Sequence, residues 1–168
     1  MAQEREIVVR RAKPSDASEI ATFVNRVLGK ASVDDLTIIE SFGEEGFLLA
    51  ERGGNLVGVL GWRAENLVVR VINLLIWPAA EHIAVTPALF SEMERAAATL
   101  ECEAALLLPP RAPLSPRQIV FFGALGYRPQ TVAGLPKAWR EAAREAGLDD
   151  DDPVLVKQLR EHRVLRPI

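Results

Sequence analysis

Apolar residues run almost without interruption from Asn66 to Trp77 (NLVVRVINLLIW), and many of them are β-branched. Such a run predicts a central strand covered on both faces, which does not suit a sheet edge. Trp77-Pro78 closes it. Proline removes a ladder donor and keeps the preceding residue extended, so pairing is expected to splay there and leave a cleft beside Ile76 and Trp77. After the connection Ala79 to Val85, a helix is expected over Pro87 to Leu100, with Thr86 as its N-cap and Pro87 in the first helical position. A strand end followed by a helix N-terminus gathers free amide donors and the positive end of the helix dipole. That is either an anion site or simply a helix that starts well.

The flanking pattern alternates strands and helices. Glu6 to Ala12 (EIVVRRA) reads as a strand. Ser15 or Asp16 then caps a helix carrying Ala17, Ile20, Phe23, Val24, Val27 and Leu28 on one face, ended by Gly29. Ser32 to Phe42 predicts a second helix, with Ser32 as cap and Asp35 three residues on. Gly46 to Arg52, the turn Gly53-Gly54-Asn55 and Leu56 to Ala64 form a hairpin that continues into the central strand as an antiparallel meander; Gly58 and Gly61 mark a bulge or a close backbone approach. Glu103 to Leu108 returns as a strand parallel to the central one through a right-handed crossover. A stiff loop, Pro109 to Pro113, leads to Ser115-Pro116, which opens a helix over Arg117 to Leu125 that stops at Gly126. Pro136 to Leu148 is an amphipathic helix, and Val154 to Leu159 lies in a final strand placed at 153–160.

Composition narrows the function. At 168 residues the chain is expected to form one domain over 1–168, and 49% hydrophobic with 26% charged residues is an ordinary globular balance. Twenty basic against 23 acidic residues, a net charge of -3, provide no broad positive field for nucleic acid. The single cysteine, Cys102, excludes an internal disulfide and a cysteine metal cluster and fits a reducing cytoplasm. The N-terminus lacks an apolar signal core and no apolar run reaches membrane-spanning length. The expectation is a cytoplasmic protein bound to neither membrane nor nucleic acid. Asp149 to Asp152 reads as a solvated turn before Pro153 rather than a metal site, and His162 as an exposed residue of the basic tail. Asp34, Asp35, Glu40, Glu44 and Glu45 form either an acidic lip that attracts a cationic substrate or, more simply, a solvated helix face.

The element order, together with FFGALGYRP at Phe121 to Pro129, resembles the GNAT superfamily of acyl-CoA-dependent N-acetyltransferases over roughly 7–129. The resemblance implies an α/β fold with a mixed sheet, in which the meander and a βαβ unit splay at the central strand. The helix at 136–148 is then an insertion near the C-terminus. It also implies acetyl transfer from acetyl-CoA to an amine, either a small molecule or a peptide, with homo-oligomerisation left open.

In that family the loop after the central strand holds the CoA pyrophosphate through a Gln/Arg-x-x-Gly-x-Gly/Ala pattern. Setting the family's strand-ending proline on Pro78 puts Glu81 on the Arg/Gln position, His82 on the first glycine, Ala84 on the next and Thr86 on the last. Side chains at His82 and Thr86 hinder close approach of the backbone, and Glu81 sets a negative charge beside a phosphate. Weak binding of acetyl-CoA is therefore expected, through Ile76, Trp77, Ala84, Val85 and Thr86; protonated His82 would offset Glu81.

Phe122 stands where many members carry the tyrosine that protonates the departing thiolate, so no catalytic residue is assigned. Ser115 lies near a common asparagine, Asn73 stands where a carboxylate base is looked for, and Tyr127 matches a packing position. A catalytically silent GNAT-like module that binds a ligand or a protein is the alternative.

Overall fold

The computed structural model describes residues 6–29, 33–42, 45–108 and 114–160. Strand β1 (Ile7–Arg11) leads through a 3-10 turn, Pro14–Asp16, into α1 (Ala17–Leu28). Asp16 closes that turn by accepting the Lys13 amide at 2.7 Å, and Gly29 ends α1 at φ 70°, a conformation only glycine adopts freely. Next comes α2 (Asp35–Ser41). Its N-cap is Asp34, whose carboxylate accepts the Thr37 amide at 2.9 Å, in place of the expected Ser32, which lies outside the described residues. The hairpin of β2 (Gly46–Arg52) and β3 (Asn55–Glu65) follows, then β4 (Val68–Ile76), α3 (His82–Thr99), β5 (Ala104–Leu107), α4 (Pro116–Ala124), β6 (Arg128–Thr131), α5 (Lys137–Glu145) and β7 (Pro153–Gln158). The expected loop Pro109 to Pro113, Glu44 and His162 lie outside the described residues.

The strands form one seven-stranded mixed sheet in the order β1-β2-β3-β4-β5-β7-β6. β2 pairs antiparallel with both β1 and β3. β4 and β5 pair in parallel, Val68–Val71 against Ala104–Leu107, and β4 runs on to Ile76. This is the βαβ unit expected from the apolar runs on either side of α3.

The chain packs as two compact units. The first takes the chain up to Arg63 together with Asn73–Met93. In it Ala17, Ile20, Phe23, Ile38, Phe47, Leu49 and Val59 bury the inward faces of α1 and α2 against the meander. The second takes Ala64–Ile72 and the chain from Glu94 onward. There Trp139, Ala142 and Ala143 of α5 cover Val68, Leu106, Val154 and Val156. α5 thus covers strands of its own unit. Asp149 to Asp152 make a turn in which Asp152 accepts the Asp149 amide and Asp150 pairs with Arg144. Among the described residues no helix is long and apolar enough to cross a membrane.

The start of α3 also departs from the expectation. α3 begins at His82 rather than at Pro87, and Pro87 lies inside it. The 3-10 turn Ala79–Glu81 nucleates the helix early, and continuing it buries Val85 and Thr86 completely. The N–H that Pro87 lacks would have bonded the carbonyl of Ile83, four residues back. Ile83 is 76% exposed, so the turn that Pro87 interrupts lies at the surface.

Candidate active site

β4 ends at Ile76, and the Trp77 amide donates to the Val57 carbonyl at 3.0 Å. That bond removes Trp77 from the backbone donors free to polarise a ligand; its ring remains 44% exposed beside a cis Trp77-Pro78 bond. Glu81 donates its amide to the Pro78 carbonyl and His82 donates to Ala79, so the turn consumes two donors before α3 starts. Of the first four amides of α3, which have no acceptor inside the helix, those of Ile83 and Ala84 stand at exposed residues. Thr86 drops out of the expected set: one turn into the helix, its amide is aimed at the His82 carbonyl and its side chain is buried. Val85 is likewise buried, with its side chain turned to the sheet.

Gly58 is what lets α3 sit this low. A Cβ there would lie 2.6 Å from Val85 Cγ1 and 3.1 Å from both Ile76 Cδ1 and Leu89 Cδ1. No side chain fits in that space.

The electrostatics differ from the expectation at Glu81. Arg52, at the end of β2, donates from Nε to Glu81 Oε2 at 2.9 Å, so the carboxylate beside the helix start is offset by a guanidinium. His82 Nδ1 lies 2.7 Å from the Thr86 hydroxyl, and burial holds its pKa below the usual imidazole value, favouring the neutral ring. Nothing local in the sequence links residues 52 and 81; their meeting follows from the end of β2 and the start of α3 lying on the same side of the first unit.

Asn73 is exposed on β4. A Cβ built on buried Gly61 would lie 3.2 Å from Glu45 Oε2, 3.3 Å from the ring carbon Cε1 of Phe47 and 3.5 Å from Asn73 Cβ. A carboxylate, an aromatic edge and an amide-bearing residue thus converge over a floor without a side chain.

In the second unit Phe122 is 6% exposed with its ring edge-on to Phe121, and it has no proton to give. Ser115 caps α4, accepting the Gln118 amide at 3.2 Å while Gln118 accepts the Ser115 amide. Tyr127 is fully buried. Its hydroxyl donates to Glu94 at 3.1 Å, and Lys157 holds both Glu94 oxygens at 3.0 Å. Burial first, then the Glu94 charge, push the phenol above its usual range, so the chain's single tyrosine is a packing residue.

This architecture is that of the GNAT acetyltransferases. A structure of an acetyltransferase of the GNAT family from Staphylococcus aureus superposes with a TM-score of 0.65 at 15% identity, covering 92% of this chain and 100% of its own. The N-acetylglutamate synthase of Neisseria gonorrhoeae, complexed with coenzyme A and N-acetyl-glutamate, gives 0.66 at 21% identity over 96% of this chain. The chain spans 37% of that synthase's length. Salmonella typhimurium yncA with acetyl-CoA gives 0.63 at 17% identity, covering 93% of this chain and 95% of its own. No family model and no curated protein sequence matches the chain.

Proposed function

We propose that the protein is an acyl-CoA-dependent N-acetyltransferase that transfers acetyl from acetyl-CoA to a small-molecule or peptide amine. The observation that carries this reading is the start of α3 in a chain of this fold: Ile83 and Ala84, exposed residues of its first turn, follow the end of β4 by one short turn, with the Arg52 guanidinium at Glu81. Amide donors and a guanidinium are a donor set that fits a diphosphate, so Ile83, Ala84 and Arg52 would hold the coenzyme's pyrophosphate, with Ile76 and Trp77 beside its acyl arm. Structures of this fold that carry coenzyme A or acetyl-CoA support the assignment.

When bound, the thioester supplies an activated acyl carbon. The chain's own contribution is to hold the donor and the amine together and to take up the amine's proton. Phe122 offers no acid, which favours slow turnover and is the observation behind the second reading, a silent ligand-binding module. Calorimetric titration with acetyl-CoA, followed by an acetyl-transfer assay on a panel of amines, tests both. Binding with transfer is expected; binding without transfer leaves the silent module, and no binding overturns the reading.

A further inference from the structure

We propose that the outer edge of β1 pairs with β1 of a second copy of this chain, antiparallel and centred on Val9, joining two sheets across a two-fold axis. The sheet ends at β1 on one side and at β6 on the other. The Ala12 amide donates to the Phe47 carbonyl at 3.0 Å, and β1 and β2 keep that register back to Ile7 and Arg52. Bonded residues alternate in an antiparallel ladder, so Val8, Arg10 and Ala12 turn their amides and carbonyls to β2. Ile7, Val9 and Arg11 turn theirs outward. The Arg11 carbonyl accordingly lies off the ladder, 3.4 Å from the Arg10 guanidinium. The same alternation runs along β6, where the Val132 amide donates to Asp152, so that Pro129 and Thr131 face outward. Pro129 has no N–H to offer, and that edge is blunted. β1 contains no proline.

The order of charge along the strand identifies the partner. Glu6 precedes β1, and Arg10 and Arg11 end it. Antiparallel pairing centred on Val9 sets Ile7 opposite the partner's Arg11 and Val8 opposite the partner's Arg10. It also brings Glu6 diagonal to the partner's Arg10, so the acidic start of one strand meets the basic end of the other. No like charges stand opposite one another. Recentring on Arg10 would set two guanidinium groups face to face, and recentring on Val8 would shorten the pairing. Val8 is 56% exposed on this edge. The aliphatic stem of the partner's Arg10 would cover it, and that side chain is already held in place by Asp16 and Glu51. A strand pair this short belongs at the low end of interface sizes, which gives a weak dimer with a Kd between about 10 μM and about 1 mM. Self-pairing of β1 does not depend on the coenzyme.

The test is sedimentation velocity of the full chain from about 5 μM to about 1 mM, with amide hydrogen exchange followed by NMR over the same range. The wild type should pass from monomer to dimer as concentration rises. Exchange should slow with it at the Ile7, Val9 and Arg11 amides, while Val8 and Arg10, already bonded to β2, stay protected throughout. Val9→Pro removes an outward donor and spares the ladder with β2, so it should remain monomeric at every concentration. Its melting temperature is recorded. Val8→Lys serves if Val9→Pro does not fold: the new ammonium lies opposite Glu51 in the monomer and opposite the partner's Arg10 in the dimer. It should weaken the dimer about tenfold. A wild type still monomeric at about 1 mM overturns self-pairing and leaves the edge to a strand of a different protein. A folded Val9→Pro that still dimerises, or a dimer that leaves exchange at Val9 unchanged, also overturns it. If Val9→Pro does not fold, a Val8→Lys dimer as tight as the wild type does the same.

Discussion

Glu81 reads as a liability beside a phosphate until its partner is seen. Arg52 lies against it at 2.9 Å, so the pair is nearly neutral, and Arg52 is the charge that matters for an anion. Replacing Glu81 by Gln removes the negative charge beside the helix start and should strengthen acetyl-CoA binding a few-fold, equivalent to about 0.3 to 1 kcal/mol at a partly exposed site, as read by calorimetry. His82 gives a prediction of different kind. Burial lowers its folded pKa below the ordinary 6.5, so the unfolded chain takes up a proton first as pH falls. The contribution to stability is intact above about pH 6.5 and is lost as pH drops from there through the folded value. Urea midpoints between pH 7.5 and 5 should decline in the wild type and decline less in His82→Gln.

At the scale of elements, the contact of α3 with β3 depends on one missing side chain. Gly58→Ala would push a methyl to 2.6 Å from Val85 Cγ1, with Leu89 and Ile76 close behind. Overpacking of this kind costs about 1 to 3 kcal/mol, and the simplest relief is for α3 to lift. The urea midpoint should fall accordingly. Acetyl-CoA affinity should fall further than in a control of equal instability, because the helix start moves with the helix. Gly58 was legible as a bulge or a close backbone approach; the β2–β3 register does shift beside it, and what lies against it is side chains of Val85, Leu89 and Ile76 rather than backbone. The start of α3 was not legible, because Thr86-Pro87 is a good local signal that was overruled by the burial of Val85 and Thr86. Ser115-Pro116, the same signal with no such competition, does open α4.

Across the whole molecule, acid tolerance is set in part by Arg10. It reaches Asp16 through both terminal nitrogens at 2.9 Å and Glu51 through Nε at 2.9 Å, tying β1 to the turn before α1 and to β2. The Arg10 hydrogen bonds, chiefly, hold the Asp16 carboxyl at about 2 against an ordinary 3.8. A depressed carboxyl pKa stabilises the fold above the unfolded value and loses that contribution as pH falls through the folded one. Between about pH 4 and pH 2 the wild type should therefore lose about 1 kcal/mol, after solvent screening, that Asp16→Asn does not lose. Circular-dichroism melts across that range check it. By itself the sequence determined the order of the elements, the mixed sheet with its βαβ unit, the hairpin turn and the Gly29 and Ser115 caps. Each of these is written in residues within a turn or two of one another, through hydrophobic period, glycine freedom and capping chemistry. The tertiary structure alone decided that Arg52 answers Glu81, that Glu45 lies over Gly61 beside Asn73, and that α3 starts at His82. Those outcomes join residues far apart in the chain, and they depend on strand register and on which faces the packing buries, neither of which a local pattern contains.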